Sequence, residues 1–239
     1  ITWTDEHTYA YFRVFEFSSG IPVTPTLLAR SDPDRTGFTQ AMIDNQSFYL
    51  LAYHYQHNSW GRRYDLQANP ITNWVELDTC GTVESIGAVS NQLVIVGERE
   101  GWPIFCKRFD LNFNLLEDMG TINPGGDGGA PCPQFFPDGR FAIPFGDGGV
   151  QSTNFPMWGY ANIFLKMYDS TGNELSFQQV NDDGIYMSQN TPSLALTPSG
   201  KVLFAYKDAR NGKPNLFGRI FQIVGTDSLT PKGSDFLIT

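Results

Sequence analysis

Charge is scarce in this chain, and cysteine, histidine and lysine are scarcer. Only 17% of the 239 residues are charged, which argues against an intrinsically disordered polymer. Three cysteines (Cys80, Cys106 and Cys132) and three histidines are present. No cysteine pair has CxxC spacing, which removes the usual structural zinc arrangements. An odd cysteine count leaves at least one thiol free or bridged to another chain. Buried thiols acting as small hydrophobes, or one intrachain disulfide plus a free thiol, both satisfy the count. No apolar run approaches 18 residues, so no membrane-spanning helix is expected. The opening ITWTDEH has neither the basic nor the apolar region of a signal peptide. The net charge of −9 repels phosphate backbones and excludes a general nucleic-acid binder. Sustained 3.6-residue periodicity is also missing. What is plentiful is apolar and aromatic: 41% hydrophobic and 14% aromatic residues, with 24 glycines and 15 prolines. That mixture predicts a packed all-β protein. Frequent Asn, Gln, Ser, Thr and Gly beside few lysines point to an extracellular or cell-surface setting.

An internal repeat is the strongest pattern. Five segments share aromatic, any, basic, any, Phe or Tyr: Tyr11-x-Arg13-x-Phe15, Trp60-x-Arg62-x-Tyr64, Phe105-x-Lys107-x-Phe109, Phe164-x-Lys166-x-Tyr168 and Phe217-x-Arg219-x-Phe221. An acid or amide follows each: Glu16, Asp65, Asp110, Asp169 and Gln222. The last aromatics are spaced 49, 45, 59 and 53 residues apart. Period-2 alternation places the aromatics and the basic residue on one face of a strand. There the basic stem can cover apolar surface, stack on a ring or join neighbouring sheets, an architectural role.

Upstream of each motif lies a hairpin with turn signals such as TPSGK and PDGR. Downstream comes a polar turn (SSG, LQAN, LNFN, STGN) and a shorter strand. One repeat is therefore a four-stranded antiparallel meander. Units of this length predict a five-bladed β-propeller of four-stranded antiparallel blades, a single domain over 1–239, with blades anchored at Phe15, Tyr64, Phe109, Tyr168 and Phe221. The first copy begins at its second strand. The C-terminal DFLIT reads best as the last blade's fourth strand. It is nonetheless expected to supply the missing inner strand and close the ring. The alternatives are a fragment, or a strand donated to an open blade edge by another chain.

The last copy carries a further pattern: Tyr206, Asp208, Arg210-Asn211-Gly212, then Leu216, Phe217, Arg219 and Phe221. It resembles the repeat of secreted bacterial and archaeal cell-surface β-propeller proteins, an aromatic-x-Asp strand end, an Arg-Asn-Gly turn and a Phe-x-Arg-x-Phe strand. Copy 1 keeps Trp3-x-Asp5. Copy 3 has Glu98 and Arg99 where the Asp is expected, copy 2 has Tyr55, and copy 4 has Asp147. The resemblance implies extracellular life and does not imply one activity, because propellers host many functions.

Functional residues are expected on the face formed by strand 2–3 loops and blade connections. If the protein is a hydrolase, its catalytic carboxylates come from Asp5, Glu98, Asp147 and Asp208, the acids ending second strands; a convergent pair can cleave a glycosidic bond. Their repeat equivalence favours acids that cap loops or pair with a nearby Arg, because catalytic residues usually break repeat symmetry. Trp158 and Tyr160, in the long insertion of the fourth copy, with Tyr55 and Arg210, are candidate ligand contacts. Glycine-rich loops place Asp127 and Asp147 where oxygen ligands could hold Ca²⁺, the one cofactor considered. His7, His54 and His57 lack ligand spacing. No nucleophile motif with recognisable context appears. The leading expectation is a non-enzymatic extracellular binding or structural module for a protein or glycan partner. The alternative is a lectin or glycoside hydrolase.

Overall fold

The computed structural model describes residues 2–4, 10–16, 18–30, 36–43, 46–54, 58–78, 81–89, 91–99, 103–123, 128–129, 131–147, 162–182, 189–197, 200–210, 213–225 and 228–238. These residues form strands and turns and no helix. Five antiparallel sheets follow one another along the chain. The first holds β1 (Thr2–Thr4), β2 (Ala10–Phe12) and β3 (Leu27–Arg30). The second holds β4 (Thr36–Ile43), β5 (Ser47–His54), β6 (Ser59–Asp65) and β7 (Val75–Asp78). The third holds β8 (Gly81–Val89), β9 (Gln92–Arg99), β10 (Ile104–Asp110) and β11 (Leu115–Thr121). The fourth holds β12 (Gly128–Gly129), β13 (Gln134–Phe135), β14 (Phe141–Asp147), β15 (Asn162–Tyr168) and β16 (Glu174–Gln179). The fifth holds β17 (Gln189–Leu196), β18 (Lys201–Asp208), β19 (Asn215–Val224), β20 (Ser228–Pro231) and β21 (Phe236–Leu237).

The four-stranded expectation needs correction in three sheets. The first has three strands among the described residues. In the fourth, β12 and β13 both pair with β14; Pro131 and Pro133 lie between them and cannot donate to a ladder. In the fifth, β20 and β21 both pair with β19, separated by a turn in which Gly233 has φ +105°, a conformation that favours glycine. The C-terminal strand thus completes the last sheet: Phe217 faces Leu237 and Gly218 faces Phe236. The expectation that it supplies an inner strand for the first sheet is overturned.

The chain divides into two compact units: residues 1–95 with 107–118, and residues 96–106 with 119–239. In the first unit, Phe12, Phe48 and Tyr64 pack ring on ring, with centroids 5.1–5.6 Å apart. In the second, one core runs from Ala142, Ile163, Leu165 and Met167 to Val202, Phe204, Tyr206 and Phe221. Second strands of the middle sheets are buried along their length: Ser47–Ala52, Gln92–Gly97 and Phe141–Gly146. Each is paired on both sides and covered on both faces, which explains their continuous apolar runs.

The motif strands are the central or penultimate strands β2, β6, β10, β15 and β19. Their basic residues act architecturally. Arg13 Nε donates to the Thr24 carbonyl at 3.0 Å and Arg62 Nε to the Thr72 carbonyl at 3.1 Å. Lys107 Nζ reaches the Leu77 carbonyl of the preceding sheet at 3.2 Å, and Arg219 the Val180 carbonyl at 2.6 Å. The acid that follows the motif builds the turn. In Asp65–Asn69, Asp110–Asn114 and Asp169–Asn173, one carboxylate oxygen accepts the amides two and four residues on, and the other accepts the Asn side chain. The position before the Asn is left-handed each time: Ala68 (φ 68°), Phe113 (φ 64°) and Gly172 (φ 96°).

Candidate functional site

Among the second-strand acids, Asp208 is the best defined. It ends β18 opposite Asn215, as Asp147 ends β14 opposite Asn162. The Asp208 side chain is fully buried. One oxygen caps the Arg210 amide at 2.7 Å; the other accepts Arg210 Nε at 2.8 Å and Nη2 at 2.6 Å. Arg210 in turn lies 4.3 Å over the Phe217 ring and reaches Asp235 at 2.6 Å and Asp182 at 3.5 Å. Burial of this many charges demands such pairing. Asp208 and Arg210 are therefore the centre of an ion cluster, where loop capping and Arg pairing coincide.

Glu98 lies half-buried near the end of β9. Asp147 is the last residue of β14. Asp5, Tyr55, Asp127, Trp158 and Tyr160, with His7, His57 and Cys80, lie outside the described residues. Cys106 and Cys132 are free thiols, Cys106 buried. No cluster of three metal-ligating side chains occurs among the described residues.

One acid escapes a search confined to strand ends. Glu84 stands mid-strand in β8, the edge strand of the third sheet. Removal from water pushes its carboxyl above the ordinary glutamate range, because burial penalises the charged form. Tyr53 on β5, in the same unit, is raised first by its own burial and then by the Glu84 charge. Glu84 thus contributes to the field at the Tyr53 hydroxyl. A carboxyl raised by burial is the kind of group that general-acid catalysis uses. The available signal was an acid within the otherwise small and apolar stretch TVESIGAV.

No protein-family model and no curated protein matches this chain. Solved structures do. The structure named "Bacteroides ovatus Xyloglucan PUL GH43B" aligns with a TM-score of 0.51 and 12% identity, covering 96% of this chain and 53% of that one. An endo-arabinase from Bacteroides thetaiotaomicron aligns with a TM-score of 0.51 and 8% identity, covering 83% of this chain and 79% of that one. The chain thus spans about half the length of the first structure. At such identities the likeness speaks for fold, and the fold is of the β-propeller type. These two neighbours count against the expected non-enzymatic module, which is corrected: by their names one is a GH43 protein and the other an endo-arabinase, which favours the glycoside hydrolase alternative.

Proposed function

We propose that this chain is a glycoside hydrolase built on a five-bladed propeller, its blades anchored at Phe15, Tyr64, Phe109, Tyr168 and Phe221. The fold likeness to two glycan-cleaving enzymes carries the class. Glu84 gives the class a working residue, because glycosidic cleavage needs one carboxyl protonated at the leaving oxygen and a second carboxylate opposite. Glu84 supplies the proton. The opposing carboxylate is not Asp208, which is committed to Arg210. Arabinan and xyloglucan, the glycans in the neighbours' names, are the first substrates to try.

Release of reducing sugar from arabinan, xyloglucan and their oligosaccharides tests the reading, with Glu84→Gln as the comparison. Activity on one of these should fall about 10²–10⁴-fold in the variant, the usual contribution of a positioned proton donor, with the circular dichroism spectrum unchanged. Glycan binding without cleavage by wild-type protein would overturn the enzyme assignment. Unchanged activity in Glu84→Gln would remove Glu84 from it.

A further inference from the structure

The C-terminal segment is fastened in an unusual way. Its strand β21 adds to β19, and the Ile238 amide donates to the Leu216 carbonyl at 2.8 Å. Just before it, Asp235 is driven into the ion cluster, its side chain 1% exposed. Asp235 Oδ2 accepts Arg210 Nη2 at 2.6 Å and the Asp182 amide at 3.1 Å. Asp182 Oδ2 returns the contact, accepting the Asp235 amide at 2.9 Å. This reciprocal capping brings two carboxyls together. Asp208 is the third acid around the guanidinium, and Arg219 Nε lies 3.6 Å from Asp235 Oδ1. Among the described residues three carboxylates thus meet two guanidinium groups. Carboxylates held side by side out of water repel one another, and a shared proton removes the cost.

We infer that Asp182 and Asp235 share one proton when the segment is docked, forming a latch that holds the C-terminal strap and loosens when that proton leaves. Among the described residues, the groups facing Asp235 are Tyr206 and Asp208 from β18, Arg210 beyond it, Arg219 from β19 and Asp182 from the segment after β16. Burial and the Asp182 carboxyl push Asp235 up against the opposing pull of Tyr206 and Arg210. Burial also pushes Asp182 up, but hydrogen bonding to Asp235 and the Arg219 and Arg210 charges leave it below the ordinary range. The signs are opposite. The Asp235 contribution to docking is full below the ordinary Asp pKa of about 4 and is lost as pH rises through its docked value. The Asp182 contribution is present above about pH 4 and is lost as pH falls. Docking is therefore tightest in mild acid and weakens towards neutral and alkaline pH.

Hydrogen exchange of the intact chain at several pH values, corrected for intrinsic rates, reads the latch at the Ile238 amide. Protection there should fall as pH rises from about 4 through the docked value of the Asp235 carboxyl, about tenfold in all for each unit by which docking displaces it. Amides of β14 serve as the reference and should hold steady. Asp235→Asn imitates the protonated group and should abolish the dependence. Asp182→Asn should abolish it independently, which keeps the test decisive if one variant fails to fold. Flat wild-type protection from about pH 4 to pH 8, or an unchanged dependence in the folded variants, would overturn the latch.

Discussion

Gly61→Ala should break the first unit at a definable point. A Cβ added there would stand 2.4, 2.6 and 2.8 Å from Phe113 Cε1, Cζ and Cδ1. Ordinary contact starts near 3.4 Å, so the ring must retreat by about 1 Å, roughly a quarter of an ordinary carbon–carbon contact distance. It has nowhere simple to go. Phe113 is 3% exposed, and Tyr49 meets it edge-on at 5.9 Å and 79°. Its backbone is already left-handed at φ 64°, fixed by the Asp110–Asn114 turn. Rigid overpacking of this kind costs about 2 kcal/mol or more. For a chain of this size that lowers the melting temperature by about 4–8 °C. Thermal and urea unfolding of Gly61→Ala, Phe113→Leu and the double variant give the coupling directly. Phe113→Leu alone should destabilise through lost volume, yet it should cost much less, or even stabilise, in the Gly61→Ala background. A Gly61→Ala protein within about 0.5 kcal/mol of wild type, or strict additivity in the double variant, would refute the packing argument.

Three further perturbations test other features. Asp208→Ala should destabilise the second unit by about 1–3 kcal/mol, because the Arg210 amide and Nε lose their buried acceptor while Asp235 and Asp182 still face the guanidinium; chemical denaturation measures it, and an unchanged stability would mean that the cluster relaxes freely. Asp169 is held well below the ordinary carboxylate range by the Asn173 and Thr171 side chains. Its stabilisation is present above about pH 4 and is lost as pH falls through its folded value, so Asp169→Asn should weaken the protein at pH 7 and matter progressively less in acid; pH-dependent melting curves check the slope. Burial favours neutral Glu84, whose contribution is full below about pH 4 and fades as pH rises through its raised value; Glu84→Gln should therefore raise the melting temperature at pH 8 and leave it nearly unchanged at pH 4.

The motif strands were legible because their signal is local and repeated. An aromatic pair bracketing a cation needs only period-2 geometry to declare a face, and β6, β10, β15 and β19 follow it. The hairpins around Gly139 and Gly200 were legible from their turn residues, both with positive φ. The C-terminal strand was half legible: DFLIT reads best as a strand of the last blade and pairs there with β19, but the strand missing from the first copy drew the expectation to the other sheet. Asp235 was invisible for another reason: it follows the last repeat, has no counterpart in the others, and meets Arg210 from 25 residues away. Glu84 was missed because the search followed strand ends, whereas desolvation by neighbouring sheets acts mid-strand. The acid after each motif was seen, but the Asn four residues later, which locks the turn, belongs to a medium-range pattern.

The doubly buried second strands set the conditions under which this chain is safe to synthesise. Stretches such as LVIVG and FYLLA combine apolar side chains with little charge and no proline, the make-up of segments that stack into fibrils when left exposed. Their protection lies in chain order. Each is flanked on both sides by the strands that will pair with it, so a nascent or refolding chain needs only neighbouring residues to cover both hydrogen-bonding edges. Covering the faces still requires the next sheet. Folding yield should therefore be most vulnerable during the interval between hairpin formation and sheet stacking, and solubility should respond to substitutions that delay stacking more than to those that loosen turns.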